Sequence, residues 1–191
     1  MNCLSKSDYR TKAMETRRKM SKSQIIKFSN QMAERLFSLK EYREAKRVFS
    51  YYSVNKEINT TVINKRILQD GKKLAFPVCV ENYNLEFHQI DDLTDLKPGI
   101  LGIPIPKSDE ILLPQAEDIM IMPGLVFSEK GQRIGYGKGY YDNYLQDKTI
   151  FKIALVYDSL LLKNIITQPY DIRADYIITQ SRNFFVEEID V

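Results

Sequence analysis

Residues 47–78 read R-V-F-S-Y-Y-S-V-N-K-E-I-N-T-T-V-I-N-K-R-I-L-Q-D-G-K-K-L-A-F-P-V, and they predict a strand, a helix and a second strand. The beginning of this stretch is β-rich, and its last residues form the next strand. Between the two strands, Asn59 or Thr60 can cap a helix that stops at Gly71. A β-α-β unit of this kind predicts two parallel strands joined by a right-handed crossover, which indicates an α/β protein.

The chain before this unit predicts a pair of helices. They occupy residues 5–39 and separate near Ser21, where Ser21 and Gln24 can form a capping box. The second helix carries apolar side chains at three- and four-residue spacing, which predicts a stripe that faces the core. These side chains are Ile25, Phe28, Met32, Leu36 and Leu39.

The chain after the unit predicts further strands and one more helix. Residues 91–115 contain too many prolines and glycines for a helix or a central strand, so we expect an ordered but irregular connection there. Residues 118–122 predict a short buried strand, and residues 140–146 predict the beginning of a helix. Two more strands are expected at 151–157 and 176–179. We therefore predict a single domain over residues 1–191, with a mostly parallel sheet flanked by helices and an N-terminal helical pair.

Composition excludes several classes of function. The 191 residues are 43% hydrophobic and 28% charged, and the net charge of +3 gives no argument for nucleic acid. Cys3 and Cys79 are too few for a disulfide framework or a zinc site. The lone histidine, His88, is expected to point outward from a strand. No stretch has the length of a membrane helix or the pattern of a secretory signal, so we expect a cytoplasmic protein without membrane partners. We also expect a monomer without nucleic-acid partners.

Residues 131–142 read G-Q-R-I-G-Y-G-K-G-Y-Y-D and carry the clearest functional signal. Four glycines permit positive φ angles and let backbone N–H groups approach an anion, while Arg133 and Lys138 can neutralise its charge. Asp142 could hold a magnesium ion that bridges phosphate oxygens, because Mg²⁺ prefers hard oxygen ligands. We therefore predict a phosphate site in this segment, close to the carboxyl end of the strand at 118–122, where α/β sheets bind ligands.

Other interpretations of the glycine segment are weaker. It lacks the hydroxyl residue that follows lysine in a P-loop, and it lacks the third glycine of a dinucleotide fingerprint. It begins like an RNP1 strand, but Tyr141 and Asp142 break that pattern. A purely structural glycine turn remains an alternative.

Taken together, these features resemble the 5-formyltetrahydrofolate cyclo-ligase family, whose members are also called methenyltetrahydrofolate synthetases. The resemblance covers nearly the whole chain, and residues 131–142 are its most specific part. The matching motifs, in chain order, are K-x-x-x-R at Lys6 and Arg10, S-V-N-K-E-I at 53–58, M-P-G-L-V-F at 122–127, the glycine segment, and Asp171 ahead of Ala174-Asp175-Tyr176.

The resemblance implies a fold and a reaction. The fold is a single α/β domain with a Rossmann-like sheet, and the reaction converts 5-formyltetrahydrofolate to 5,10-methenyltetrahydrofolate with ATP and Mg²⁺. The γ-phosphoryl group of ATP is transferred to the formyl oxygen, and N10 of the folate then closes the ring and expels phosphate. Such chemistry rests on positioning and charge neutralisation, so it needs no protein nucleophile.

The resemblance also implies residue roles. Arg133 and Lys138 are the implied catalytic residues, and Asp142 and Asp171 are the implied metal ligands, with Asp175 left open as an alternative to Asp171. The implied ATP-binding residues are Lys6, Arg10, Gly131, Arg133, Ile134, Gly135, Tyr136, Gly137, Lys138, Gly139, Tyr140 and Tyr141. The implied folate-binding residues are Val54, Glu57, Tyr136 and Tyr140, with the Glu57 carboxylate accepting hydrogen bonds from the pterin ring.

Two further hypotheses compete with this one. A nucleic-acid-binding module could use the basic N-terminal stretch together with the tyrosines of the glycine segment, and its affinity would fall steeply with salt. The near-neutral total charge argues against it. An ATP-dependent enzyme with a different acceptor would share the sheet and the glycine segment, because a fold does not determine a function. Glu57, together with Lys6 and Arg10, favours the folate.

Overall fold

A computed structural model describes residues 4–99, 102–168 and 170–187 and places a seven-stranded sheet at the centre of the fold. The strands, in chain order, are β1 (Arg47–Phe49), β2 (Lys73–Cys79), β3 (Leu85–Ile90), β4 (Leu96–Pro98), β5 (Pro104–Pro106), β6 (Ile119–Met122), β7 (Val126–Ser128), β8 (Arg133–Ile134), β9 (Phe151–Leu155), β10 (Leu161–Leu162), β11 (Tyr176–Ile178) and β12 (Asn183–Phe185). The central sheet has the order β12-β11-β9-β6-β1-β2-β3. Its five inner strands are parallel and both edge strands are antiparallel, which confirms the predicted fold class.

The helices, in chain order, are α1 (Lys6–Lys19), α2 (Lys22–Ser38), α3 (Lys40–Glu44), α4 (Thr61–Gln69) and α5 (Tyr140–Leu145). The predicted N-terminal pair is α1 and α2. The Ser21 hydroxyl accepts from the N–H of Gln24, and the Gln24 side chain accepts from the N–H of Ser21, so the predicted capping box is confirmed. Ser5 and Asp8 form a second capping box at the beginning of α1.

The predicted β-α-β unit is confirmed as β1, α4 and β2. Val48 of β1 pairs with Leu74 of β2 in parallel register. At the beginning of α4, the Asn59 side chain accepts from the N–H of Thr61 at 3.0 Å, while the Thr60 hydroxyl donates to the carbonyl of Tyr51. Asn59 therefore supplies the capping acceptor, and Thr60 anchors the helix to the chain that leaves β1.

The direction of the strand order reverses at β1, and this reversal positions the site. β2 lies on one side of β1 and β6 lies on the other, both parallel to it. The chains that leave the carboxyl ends of β1 and β6 therefore diverge and open a crevice, which is the usual place for a ligand in an open α/β sheet. β6 is buried at all four residues, so the crevice rests on a rigid strand.

Short strands form two smaller sheets outside the central one. β10, β7 and β8 form a three-stranded sheet, and β4 pairs with β5 within the predicted irregular connection. The prediction placed no strand in residues 131–142, yet β8 lies there and pairs with β7. Gly131 makes this hairpin possible because it lies at the turn between the two strands with a φ angle of 76°.

The prediction that His88 points outward is wrong. His88 is 7% exposed, and its ring nitrogens lie 2.8 Å from the Ser108 carbonyl oxygen and 3.0 Å from a Glu86 carboxylate oxygen. Residues 110–112 run along β3 and bond to its backbone, so the outer edge of this strand is covered. Of the two cysteines, Cys79 is a free exposed thiol and Cys3 lies outside the described residues.

Candidate active site

A tight turn follows β1 and carries two predicted folate contacts, Val54 and Glu57. The N–H of Glu57 donates to the carbonyl of Val54, and the N–H of Val54 donates to Oε2 of Glu57 at 2.9 Å. Asn55 and Lys56, between them, have φ angles of 50° and 57°. The Lys56 ammonium group donates to the carbonyls of Arg18 and Met20, so the turn is anchored to the end of α1.

Tyr157 supports the same turn from below. Its hydroxyl lies 3.2 Å from the carbonyl oxygen of Glu57 and 3.3 Å from that of Lys56. Burial raises the pKa of Tyr157 to about 12, so the phenol is a neutral donor at physiological pH. The turn therefore has a fixed backbone, and a cleft of about 320 Å³ borders it, with Ile25, Val54 and Glu57 in its lining.

The glycine segment divides into a hairpin and a loop, and Gly131 belongs to the hairpin. A Cβ atom at this position would lie 2.4 Å from the carbonyl oxygen of Ala174, and the N–H of Ala174 donates to the carbonyl of Gly131. The structure thus packs Gly131 against a neighbouring chain segment and places it outside the loop formed by residues 135–139. Ile134 is 1% exposed, so its side chain lies in the core.

Residues 135–139 form a glycine loop between β8 and α5. Gly137 and Gly139 have φ angles of 99° and 75°, and Lys138 between them is exposed. A Cβ atom on Gly137 would lie 3.1 Å from the guanidinium of Arg10. The glycine loop therefore approaches a cation of α1 closely, and its backbone N–H groups have the freedom that an anion site requires.

Arg133 lies beneath the glycine loop and is 8% exposed. Its Nη2 donates to Oδ1 of Asp142 at 2.8 Å, and its Nη1 donates to the carbonyl of Pro123 at 3.2 Å. The guanidinium lies 5.6 Å from the ring centroid of Tyr141. These contacts fix the cation between the end of β6 and the first turn of α5.

The two predicted metal ligands converge from different parts of the chain. Oδ1 of Asp142 accepts from the N–H of Ile172 at 3.1 Å, which brings Asp142 next to the segment that contains Asp171. Oδ2 of Asp171 accepts from the N–H of Gln168 and from the Lys6 ammonium group. In the described ranges, the second oxygen of each carboxylate accepts no hydrogen bond.

The ligand chemistry here suits magnesium better than a tightly coordinated transition metal. Within residues 4–99, 102–168 and 170–187, no group of three or more His, Cys, Asp and Glu side chains could hold a metal ion. Two carboxylates with one free oxygen each match the mode in which Mg²⁺ shares a few protein ligands with phosphates and water. The alternative ligand, Asp175, accepts from the N–H of Lys152 at 2.7 Å and pairs with its ammonium group, so it faces β9.

Helix α1 presents a row of cations to the site. Lys6 pairs with Asp171, and the Nε of Arg10 donates to the carbonyl of Gly135 at 2.9 Å. Further along the same helix face, Arg17 donates to the carbonyl of Gly124 at 2.6 Å. Arg17 does not occur among the predicted site residues. Its spacing of seven residues from Arg10 was the available signal, because it puts both side chains on one helix face.

The tyrosines of the glycine segment have different surroundings. The hydroxyl of Tyr136 donates to Oε1 of Glu57 at 2.7 Å, which joins the glycine loop to the turn after β1. Tyr140 packs against Tyr83, with ring centroids 5.9 Å apart. Tyr141 is turned toward Phe87, and among the described residues its buried hydroxyl has no partner, so desolvation raises its pKa.

The turn with Glu57, the glycine loop and the α1 cations thus meet at one crevice, whereas Gly131 and Ile134 pack elsewhere. A model of the 5-formyltetrahydrofolate cyclo-ligase family matches residues 2–180. The chain belongs to this family. It is therefore an enzyme, a ligase that forms a C–N bond. In the described ranges of the chain, no helix is both long and apolar enough to cross a membrane.

Several cyclo-ligases of this family align along most of the chain. The 5-formyltetrahydrofolate cyclo-ligase of Haemophilus influenzae is 28% identical over 180 residues, which cover 90% of this chain and 96% of the relative. That of Escherichia coli K12 is 27% identical over 175 residues, which cover 88% of this chain and 96% of the relative. The range matched by the family model includes both the α1 cations and the glycine segment.

Solved structures share the fold. The 5,10-methenyltetrahydrofolate synthetase of Aquifex aeolicus superposes with a TM-score of 0.86 at 25% identity, covering 98% of this chain and 96% of that structure. The synthetase of Mycoplasma pneumoniae superposes with a TM-score of 0.75 at 18% identity, covering 93% and 99%. At that identity the second comparison concerns the fold alone.

Proposed function

We propose that this protein converts 5-formyltetrahydrofolate to 5,10-methenyltetrahydrofolate in a reaction that consumes ATP, requires Mg²⁺ and releases ADP and phosphate. The observation that carries the proposal is the hydrogen bond between Tyr136 and Glu57. It joins the loop predicted to bind ATP to the turn predicted to bind the folate. An enzyme that transfers a phosphoryl group from ATP to the folate needs the two substrates side by side, and this hydrogen bond places the two predicted binding segments in direct contact.

The nucleotide half consists of the glycine loop and the cations that surround it. Arg10 donates to the loop from α1, Lys138 is part of the loop, and Arg133 lies beneath it, while Lys6 of the same helix pairs with Asp171. We assign the triphosphate to this loop, with the backbone N–H groups of Gly135, Gly137 and Gly139 as donors. Several cations around one anion lower the cost of bringing a nucleotide next to a second anionic substrate.

Asp142 and Asp171 are the residues that would hold Mg²⁺, because each retains an oxygen without a protein donor in the described ranges. When bound, the ion would supply neutralisation of charge on the phosphate oxygens. Both carboxylates pair with site cations, Asp142 with Arg133 and Asp171 with Lys6. The same contacts keep the two cations within reach of the phosphates and orient the two carboxylates.

The folate half consists of the turn after β1 and the tyrosines of the glycine segment. Glu57 is 5% exposed and is an acceptor, which suits the N–H donors of a pterin ring. Val54 lies in the lining of the adjacent cleft, where it can contact an apolar part of the ligand. We also assign Tyr136 and Tyr140 to the folate, because Tyr136 bonds to Glu57 and both rings can stack on a pterin.

The proposed chemistry needs no protein nucleophile. The formyl oxygen attacks the γ-phosphorus of ATP, the bond to the bridging oxygen breaks, and ADP leaves. N10 then attacks the formyl carbon, forms the new C–N bond and expels phosphate while losing its proton. Arg133 and Lys138 neutralise the negative charge of the transferred group, and the fixed position of Arg133 means that little reorganisation is required.

The test is the absorbance of the methenyl product. Purified protein is mixed with 5-formyltetrahydrofolate, ATP and Mg²⁺, and parallel reactions omit ATP or replace Mg²⁺ with a chelator. Product that appears only when both are present supports the proposal. If a folded protein that binds ATP forms no product, the acceptor is a different molecule and the folate assignment is wrong.

A further inference from the structure

Arg17 is a buried cation that has no role in the function proposed above. It is 4% exposed, and it lies on the face of α1 that carries Lys6 and Arg10. Its Nη2 donates to the carbonyl of Gly124, and its Nη1 donates to the hydroxyl of Tyr136 at 3.3 Å. The same Nη1 lies 3.6 Å from Oε1 of Glu57.

The three partners of Arg17 belong to three separate segments. Gly124 follows β6, Glu57 lies in the turn after β1, and Tyr136 belongs to the glycine loop. The ends of β6 and β1 are the two walls of the crevice. One guanidinium thus contacts both walls as well as the loop that lies across them.

Stability alone does not explain an arginine at this position. Removing a guanidinium from water is costly, and buried ion pairs are often replaced by apolar side chains with no loss of stability. The site also leaves one donor unused, because the Nε of Arg17 has no hydrogen-bond partner among the described residues. An apolar side chain would attach α1 to the crevice at a lower desolvation cost.

We propose that Arg17 is a positioning residue for the folate half of the site, acting through Glu57 and Tyr136 to set the affinity for 5-formyltetrahydrofolate. This inference rests on the function proposed above. The Val54 N–H holds one oxygen of Glu57, and the Tyr136 hydroxyl holds the other. Arg17 places a positive charge beside the buried Glu57 carboxylate, and it donates a hydrogen bond to the Tyr136 hydroxyl.

This arrangement leaves acceptor capacity directed at the ligand. A carboxylate has about four lone-pair positions. Two are occupied by the Val54 N–H and the Tyr136 hydroxyl, and the Arg17 guanidinium lies on one side of the group. The remaining lone-pair positions of Glu57 face an N–H donor of the folate only while these contacts hold the carboxylate in one orientation. Loss of Arg17 would therefore weaken folate binding even though Arg17 is not required to touch the folate.

The test compares Arg17→Met and Arg17→Lys with Glu57→Gln and with the double variant Arg17→Met/Glu57→Gln. Arg18→Met is the matched control, because Arg18 is the neighbouring exposed arginine of the same helix. Circular dichroism checks folding. The double variant removes the charges of both Arg17 and Glu57, so it leaves no unpaired buried carboxylate. It therefore provides a folded comparison if Arg17→Met alone is unstable. Calorimetry measures the Kd of 5-formyltetrahydrofolate and, separately, the Kd of ATP.

We expect Arg17→Met to raise the folate Kd by about tenfold or more and to change the ATP Kd by less than about twofold. Arg17→Lys should give an intermediate Kd, since it keeps the charge and loses the planar fork. The double variant should bind the folate no more weakly than Glu57→Gln, because Arg17 acts through Glu57. Equal losses for both ligands, or an unchanged folate Kd, would overturn the proposal.

Hydrogen exchange without ligand separates this inference from the proposed function. In Arg17→Met, amides of the turn at 54–58 should exchange faster, while those of β9 should exchange as in the unchanged protein. If the unchanged protein binds no 5-formyltetrahydrofolate, the proposed function is wrong, and the exchange result alone decides the role of Arg17. Unchanged exchange at residues 54–58 refutes positioning, and a local increase supports it.

Discussion

Replacing Gly131 with alanine should destabilise the protein through a contact that the structure specifies. The residue has a φ angle of 76°, and its added Cβ atom would lie 2.4 Å from the backbone carbonyl oxygen of Ala174. A left-handed conformation costs alanine about 1–2 kcal/mol, and forced overpacking costs about 1–3 kcal/mol more. We therefore expect Gly131→Ala to lower the free energy of unfolding by about 2–5 kcal/mol.

Gly71 provides a matched control for this prediction. Its φ angle is 72°, and nothing lies within 4 Å of an added Cβ atom. Gly71→Ala should therefore carry the conformational cost alone, and the effect of alanine on the unfolded chain is the same in both variants. The difference between the two variants, about 1–3 kcal/mol, isolates the contact with Ala174.

Urea unfolding at equilibrium measures both free energies, and ATP titration of the folded variants tests the nucleotide role predicted for Gly131. The packing role predicts a large stability loss for Gly131→Ala together with an ATP Kd close to that of the unchanged protein. Equal losses of stability in the Gly131 and Gly71 variants would refute the packing argument. If the ATP Kd of Gly131→Ala were also raised, the result would support a role for Gly131 in ATP binding.

Three further predictions concern charges and protons. Lys138→Met should lower turnover roughly a hundredfold, because it removes a proposed phosphate-neutralising charge, and it should change the free energy of unfolding by less than about 0.5 kcal/mol, because Lys138 is exposed. Lys65→Met, at an exposed position of α4, is the control. Normal turnover in Lys138→Met would show that Lys138 has no part in the mechanism. Asp142→Asn should raise the Mg²⁺ concentration that gives half-maximal activity, and an unchanged metal titration would assign Asp142 to the support of Arg133 alone. The pKa of Tyr157 is raised from 10.0 to about 12 in the folded protein, so its contribution to stability is fully present below pH 10 and is lost as the pH rises to about 12. Tyr157→Phe should therefore flatten this part of a curve of unfolding free energy against pH. An unchanged slope would show that the phenol is accessible to water.

Sequence reasoning succeeded where a pattern is local. The capping box at Ser21 and the β-α-β unit depend on spacings within one element or between neighbours, and both are confirmed. The place of the glycine segment near the carboxyl end of β6 follows from chain order, and it is also confirmed. These patterns determined the α/β class, which the family comparison supports independently.

Sequence reasoning failed where distant segments decide the outcome. His88 alternates as a half-exposed strand residue should, but residues 110–112 cover it from another part of the chain. Gly131 resembles the other glycines of its segment, and only the contact with Ala174 distinguishes it. Arg17 lies in a run of exposed cations, and its burial depends on partners 107 and 119 residues away.

The polar face of α1 has a consequence for how the enzyme is made. Lys6, Arg10 and Arg17 contact residues that lie 165, 125 and 107 positions later in the chain. On the ribosome, this helix emerges well before these partners. These contacts of α1 therefore cannot form until much of the chain has been made, and its ion pair with Asp171 cannot form until Asp171 has left the exit tunnel.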